Sequence, residues 1–166
     1  MTPRERLAAR QRELVRALVA GAAAPAGFDE SRVRATARAL LSKRAGEIAA
    51  TWPRLRVGLD DRFRQLFFDW ADGRPPLGAL VDGFLFAGDL ADADALPQLG
   101  AEELADVRAC LFLTSRQHLH RRPGFAVGRA TIASSDGGGT AITYAVRGRI
   151  LHRRRGHGVR SRRRQE

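Results

Sequence analysis

The hydrophobic period of this 166-residue chain changes at Pro123, and that change limits the fold more than any other feature. Before it, apolar residues recur every three or four positions, as on one face of a helix; after it they alternate, as on a strand. The chain therefore reads as mainly α, a compact bundle of about five helices followed by a C-terminal β-hairpin and a disordered basic tail. The expected units are residues 1–121 for the helical domain, 122–151 for the hairpin packed on it, and 152–166 for the Arg-rich tail.

Thr2-Pro3-Arg4-Glu5 opens the first helix with a capping box and a proline at its first turn. Asp29 caps a second, longer helix whose apolar stripe runs through Val33, Ala37, Leu40, Leu41, Ile48 and Trp52. At about 100° per residue Arg44 falls within that stripe, about 20° from Val33. A guanidinium there must find a carboxylate or line a pocket. Trp52-Pro53 ends the helix or starts a short turn. Asp60 or Asp61 then caps a third helix carrying Phe63, Leu66, Phe67 and Trp70, which stops at Gly73. After the rigid Arg74-Pro75-Pro76 connector, residues 77–90 are apolar nearly all round, so that helix should be central and its Asp82 partly buried. Asp82 is therefore the expected partner of Arg44 in a buried ion pair. A last helix is expected over 101–118, with Leu104, Val107, Leu111 and Phe112 turned inwards.

The two strands of the hairpin are expected at 125–132 and 141–151, separated by a serine- and glycine-rich turn. An isolated hairpin is marginal, so it should lie against the helices or a partner. Charge is concentrated in the same region. The chain carries +11 overall, of which residues 122–166 hold +9, with Asp136 and Glu166 as their only acids. Arg153, Arg154, Arg155, Arg162, Arg163 and Arg164 can neutralise phosphates, so nucleic acid is a possible partner of the tail, in a salt-sensitive and sequence-independent way. No aromatic residue is interleaved with them for base stacking.

Constellations for catalysis are missing. His118, His120, His152 and His157 lack the accompanying acids or thiolates of a zinc site, and the single Cys110 excludes a disulfide or a Cys-x-x-Cys pair within the chain. No nucleophile elbow or phosphate-binding glycine loop occurs, because the glycine run lies between two strands. The expectation is a protein that is not an enzyme, with no metal and no cofactor. No apolar run is long enough to cross a membrane and no signal peptide is evident, so a cytoplasmic location and no membrane contact are expected.

The ordered series Arg6-Leu7-Ala8-Ala9-Arg10-Gln11, Gly27-Phe28-Asp29, Lys43-Arg44-Ala45, Trp52-Pro53, Phe63, Trp70-Ala71, Arg74-Pro75-Pro76, Asp82-Gly83 and Phe86-Ala87 resembles one helical domain. It is similar to the domain that follows, or accompanies as a separate chain, the multinuclear non-heme iron oxidases (MNIOs) of actinobacteria. Related helical domains carry a DNA-binding label. The resemblance covers about residues 5–90, and more loosely Val146-Arg147-Gly148-Arg149. It implies an adaptor that presents a precursor peptide to an iron oxidase in the biosynthesis of ribosomally made, modified peptides (RiPPs). The oxidase's iron ligands have no counterpart here. On that view an extended leader peptide pairs with an exposed edge of the hairpin. Tyr144, Val146, Arg147, Arg149 and Arg74 are the candidate contacts for peptide or partner. The alternative is a nucleic-acid-binding protein acting through its basic C-terminal region.

Overall fold

Six helices precede two small antiparallel sheets in the computed structural model, which describes residues 2–20, 22–146 and 149–155. The helices are α1 (Pro3–Val19), α2 (Glu30–Thr51), α3 (Pro53–Leu59), α4 (Arg62–Ala71), α5 (Ala79–Asp92) and α6 (Gln98–Cys110). Strands β1 (Leu111–Leu113) and β2 (Leu119–Arg121) form a small hairpin. Strands β3 (Phe125–Ile132), β4 (Gly139–Val146) and β5 (Arg149–Arg155) form a three-stranded sheet in that order, with β4 central.

Local chemistry accounts for the early helix boundaries. The Thr2 hydroxyl accepts the Glu5 amide at 3.3 Å while the Glu5 carboxylate accepts the Thr2 amide at 2.7 Å, completing the capping box of α1. Asp29 Oδ1 accepts the amides of Ser31 and Arg32 at the start of α2. The Asx hydrogen bonds hold the Asp29 carboxyl below the usual carboxylate range, the Ser31 side chain contributing most.

Four expectations are corrected. Trp52-Pro53 does end α2, but Pro53 begins α3 in place of a turn, because a proline at the first helical position lacks only an amide that would be unpaired anyway. That supplies the sixth helix. Neither Asp60 nor Asp61 gives a side-chain cap to α4, and Asp60 instead takes a positive φ of 49° at the α3–α4 corner. The last helix stops at Cys110: Leu111–Leu113 pairs with Leu119–Arg121, and the Arg122 amide donates to the Cys110 carbonyl at 2.8 Å. The expected two-stranded hairpin is three-stranded, since Arg149–Arg155 pairs with Thr140–Val146. Strand β5 thus includes residues 152–155, which the sequence reading assigned to a disordered tail, while residues 156–166 lie outside the described residues.

The helical core is built on rings. Phe63 and Phe67 stack at 6.2 Å, and Phe86 of α5 meets both edge-on at 6.2 and 5.5 Å. Ile48, Trp52, Leu55, Leu59, Leu96 and Leu104 are fully buried around them. Trp52 needs Gly83 opposite it, since a Cβ at that glycine would overlap the indole ring.

Helix α6 joins this core to the sheet through small residues. Ala101, Ala105 and Ala109, four apart on one face, are buried, as are Gly128, Ala130, Ala141 and Ala145 of the sheet. The larger alternating set on β4, Ile142, Tyr144 and Val146, is turned to the other side of the sheet and only partly covered. The closest approach is at Gly128, where a Cβ would overlap the Ala105 carbonyl oxygen and stand 2.5 Å from the Ala109 nitrogen. Gly128→Ala is therefore expected to destabilise the chain by about 3 kcal/mol, the upper end for overpacking, because the obstacle is helix backbone. Urea unfolding measures it; a loss under about 1 kcal/mol would show that α6 and the sheet can separate freely.

Candidate functional site

Arg44 and Asp82, the pair expected from helical phase, are brought together by the packing of α2 on α5. Arg44 Nε donates to Asp82 Oδ2 at 2.9 Å, and the two side chains are 11% and 1% exposed. Asp82 Oδ1 accepts the Leu77 amide at 3.1 Å, so both carboxylate oxygens are used. Arg44 Nη1 donates to the Arg74 carbonyl at 2.8 Å. Its guanidinium carbon lies 5.6 Å from the Phe67 ring centre and 5.8 Å from that of Trp70. Arg44 Nη2 is buried without a hydrogen-bond acceptor among the described residues. The rings thus take over part of its solvation.

Arg74, a candidate peptide contact, is tied into the same region. Its Nη1 donates to Asp89 Oδ2 at 2.8 Å, its guanidinium lies 4.8 Å over Trp70, and Trp70 Nε1 donates to the same Asp89 oxygen. A cleft of about 200 Å³ opens beside this cluster, between Leu18 and Val19 of α1, Leu40 and Leu41 of α2, and Pro76 and Ala79. Its walls are mainly apolar, with Lys43, Arg44, Glu47 and Asp82 as the charged part of the lining.

A second polar cluster, not singled out in the sequence, joins α3, α6, β4 and β5. Asp106 pairs with Arg54, accepts the Thr143 hydroxyl at 2.6 Å, and lies 3.1 Å from His152 Nδ1. Thr143 is 1% exposed, so its hydroxyl is closed to a substrate and its bond to Asp106 is a structural one. The cluster fastens β4 and β5 to the helices. One turn earlier on α6, the buried Glu103 carboxylate accepts the Leu55 amide at 2.7 Å and faces the Arg54 amide. It thereby caps α3, whose own N-cap, Trp52, offers no side-chain acceptor. Burial pushes the Glu103 carboxyl above its usual range, against the lowering effect of these amides and of Arg54. Thr143 and Asp106 became adjacent only through the pairing of α6 with β4, which no spacing in the sequence encodes.

The remaining candidates are distributed differently from expectation. Tyr144 and Val146 sit on β4, whose backbone is paired on both sides: Tyr144 with Val127 and Leu151, Val146 with Phe125 and Arg149. That corrects their assignment to an open hairpin edge. Arg149, Arg153, Arg154 and Arg155 are residues of β5, which is an edge strand among the described residues. Arg147, Arg162, Arg163 and Arg164 lie outside the described residues. Cys110 is a half-buried free thiol. Among the described residues no three His, Cys, Asp or Glu side chains are grouped as metal ligands, and no helix is long and apolar enough to cross a membrane.

Against known proteins, the sequence model of the family described as SCO6045-like, C-terminal domain matches residues 8–92. A UPF0276 protein of Streptomyces avermitilis is 39% identical over 103 residues, which cover 58% of this chain and 21% of that protein. The chain thus spans about a fifth of the length of the curated relative it matches. No solved structure matches.

Two predictions follow from the polar clusters. Asp82→Asn leaves the Arg44 charge buried and unpaired, and is expected to cost about 3–5 kcal/mol in urea unfolding, whereas the Arg44→Met, Asp82→Leu double variant recovers most of that loss. A loss below about 1 kcal/mol for Asp82→Asn would mean that water reaches the guanidinium. For Glu103 the folded-state pKa is raised, so its contribution to stability is full below the unfolded pKa and is lost as pH rises through the folded value. Glu103→Gln removes that titration while keeping an acceptor for Leu55. The melting temperature of the variant relative to the parent should therefore rise between pH 4 and pH 7, and a falling difference would reverse the assignment.

Proposed function

This chain belongs to the SCO6045-like C-terminal domain family, and we propose that it is a noncatalytic partner of a peptide-modifying multinuclear iron oxidase, to which it presents a ribosomally made precursor peptide. The observation that carries the reading is modular. In the longer relative the matched stretch is a minor part of the chain, which supports reading it as a unit that accompanies a larger partner. The identity of that partner comes from the resemblance to iron-oxidase partner domains, in residues that lie mostly within the matched segment.

The sheet offers a means of holding an extended peptide. Its β3 edge is obstructed, since Arg108 Nη1 donates to the Arg129 carbonyl at 2.8 Å. Strand β5 pairs only with β4 among the described residues. A leader peptide added beside β5 would gain main-chain hydrogen bonds, and four arginines in the seven residues of the strand favour an acidic leader. Docking of the helical body on the oxidase would then hold the modifiable part of the peptide at a high effective concentration.

The test is purification of the tagged full-length protein from its native organism, with nuclease and moderate salt, followed by iron analysis and mass spectrometry. An iron-containing oxidase and a short peptide in near-stoichiometric amounts are expected. Adding that peptide to the isolated protein should slow amide hydrogen exchange across residues 149–155 by about tenfold or more and leave α4 unchanged. Recovery of nucleic acid alone, before nuclease and only at low salt, would move the function to the basic C-terminal region instead.

A further inference from the structure

Arg44, Arg54 and Arg74 of the helical body each pair with a carboxylate, of Asp82, Asp106 and Asp89 respectively. Of the arginines that have no such pair, three converge on one place. Arg108 of α6, Arg122 after β2 and Arg129 of β3 line one open groove of about 470 Å³ between β1 and the edge of β3. No carboxylate forms an ion pair with any of them among the described residues, and Asp92 acts on Arg108 only from beyond ion-pair distance. Three like charges gathered along apolar walls repel one another, and Arg108 among them is half-buried, so an anion in the groove offsets that repulsion.

Two of the three are held in place. Arg108 donates to the Arg129 carbonyl and its guanidinium lies 5.8 Å from the Phe84 ring centre. Arg122 Nε donates to the Leu111 carbonyl at 3.2 Å, with its guanidinium 5.5 Å from the Phe112 ring centre. Burial lowers the pKa of half-buried Arg108, and an arginine, starting so high, stays charged at neutral pH. The positive charge is therefore fixed before any ligand arrives, and its ordering cost is already met.

We infer that this groove binds a carboxylate-bearing, apolar segment of a protein partner, a contact separate from the β5 edge. The chemistry of the walls selects a peptide over a nucleic acid. Phe84 and Phe112 are the aromatic residues lining the groove, and each already carries a guanidinium; Phe112 also lies 5.8 Å from His120. Bases would find little open ring to stack on. The other walls, Leu111, Leu113 and Val127, are aliphatic and suit leucine-like side chains, while forked guanidiniums suit carboxylates. The inference does not depend on the partner being an iron oxidase, because it names only the chemistry of the segment.

Fluorescence anisotropy on the full-length chain tests it, with a fluorescein-labelled peptide of alternating glutamate and leucine. An alternating glutamine and leucine peptide and an oligo-dT of equal length serve as competitors. The glutamate peptide is expected to bind at least about tenfold more tightly than the glutamine one. Arg129→Gln should weaken it about threefold or more, and Arg122→Gln with Arg129→Gln about tenfold. Substituting Arg162, Arg163 and Arg164 by glutamine should leave it unchanged. Arg122 also supports β1, so the single Arg129→Gln variant, whose side chain makes no hydrogen bond or ion pair among the described residues, keeps the test decisive if the double variant melts early. Equal binding of the two peptides, parent-like binding by Arg129→Gln, or tighter binding of oligo-dT through the same arginines would each overturn the inference. None of these outcomes bears on whether an oxidase co-purifies, so the two readings fail independently.

Discussion

The distance between α6 and the three-stranded sheet sets most of the molecule. Ala101, Ala105 and Ala109 leave the helix without bulk on one face, and Gly128 leaves the sheet without bulk opposite it. The backbones therefore approach to a separation at which only Gly, Ala and Thr fit on the inward side of β3 and β4, apart from Ile132 at the end. Large residues of the same strands are forced to the other face. The sheet thus keeps a partly exposed apolar side, with Phe125 and Tyr144 rings 6.3 Å apart, as a consequence of how closely the helix must seat.

Such an interface buries little apolar surface per residue, which explains the density of polar bonds around it. Asp106 connects α3, β4 and β5 through Arg54, Thr143 and His152. At the far end the β3–β4 turn is tied to the α5–α6 loop: the Ala133 amide donates to the Leu96 carbonyl, the Ser134 amide to Asp94, and the Gln98 amide to Asp136. Asp136, one of two acids beyond residue 121, is therefore engaged at the start of α6 while remaining exposed. The positive field of the C-terminal region has almost no internal compensation as a result.

Legibility in the sequence followed the range of the interaction. Caps at Thr2 and Asp29 are local hydrogen bonds, and they were readable from three or four residues. The Arg44–Asp82 pair was readable across 38 residues only because Arg44 interrupts an apolar stripe and Asp82 sits on a helix apolar nearly all round. Leu111-Phe112-Leu113 failed because three apolar residues after a helix continue its period as well as they begin a strand. Strand β5 failed for a different reason. Its arginines look like a solvated tail, and nothing in them reports that Thr140–Val146 offers a second edge. Asp106, Thr143, Glu103 and the Arg108–Arg122–Arg129 groove depend on tertiary pairings, and an unremarkable helix residue carries no mark of its partner.

The family match ends at residue 92, the last residue of α5, so the matched part contains Arg44, Asp82, Arg74 and Asp89 but neither α6 nor the sheet. Both physical halves of the chain follow that division. In the matched half Arg44 and Arg74 are each paired with a carboxylate and lie against aromatic rings, within a nearly charge-balanced segment. Beyond it, small residues fix the seat of the sheet, while the arginines around its β3 edge lack internal carboxylates. A body that satisfies its own charges gains little from a charged partner, whereas a groove that does not satisfy them gains with each carboxylate it accepts. Within the proposed partner role we therefore assign electrostatic recognition to the part attached through α6, and docking by shape and apolar contact to the helical body.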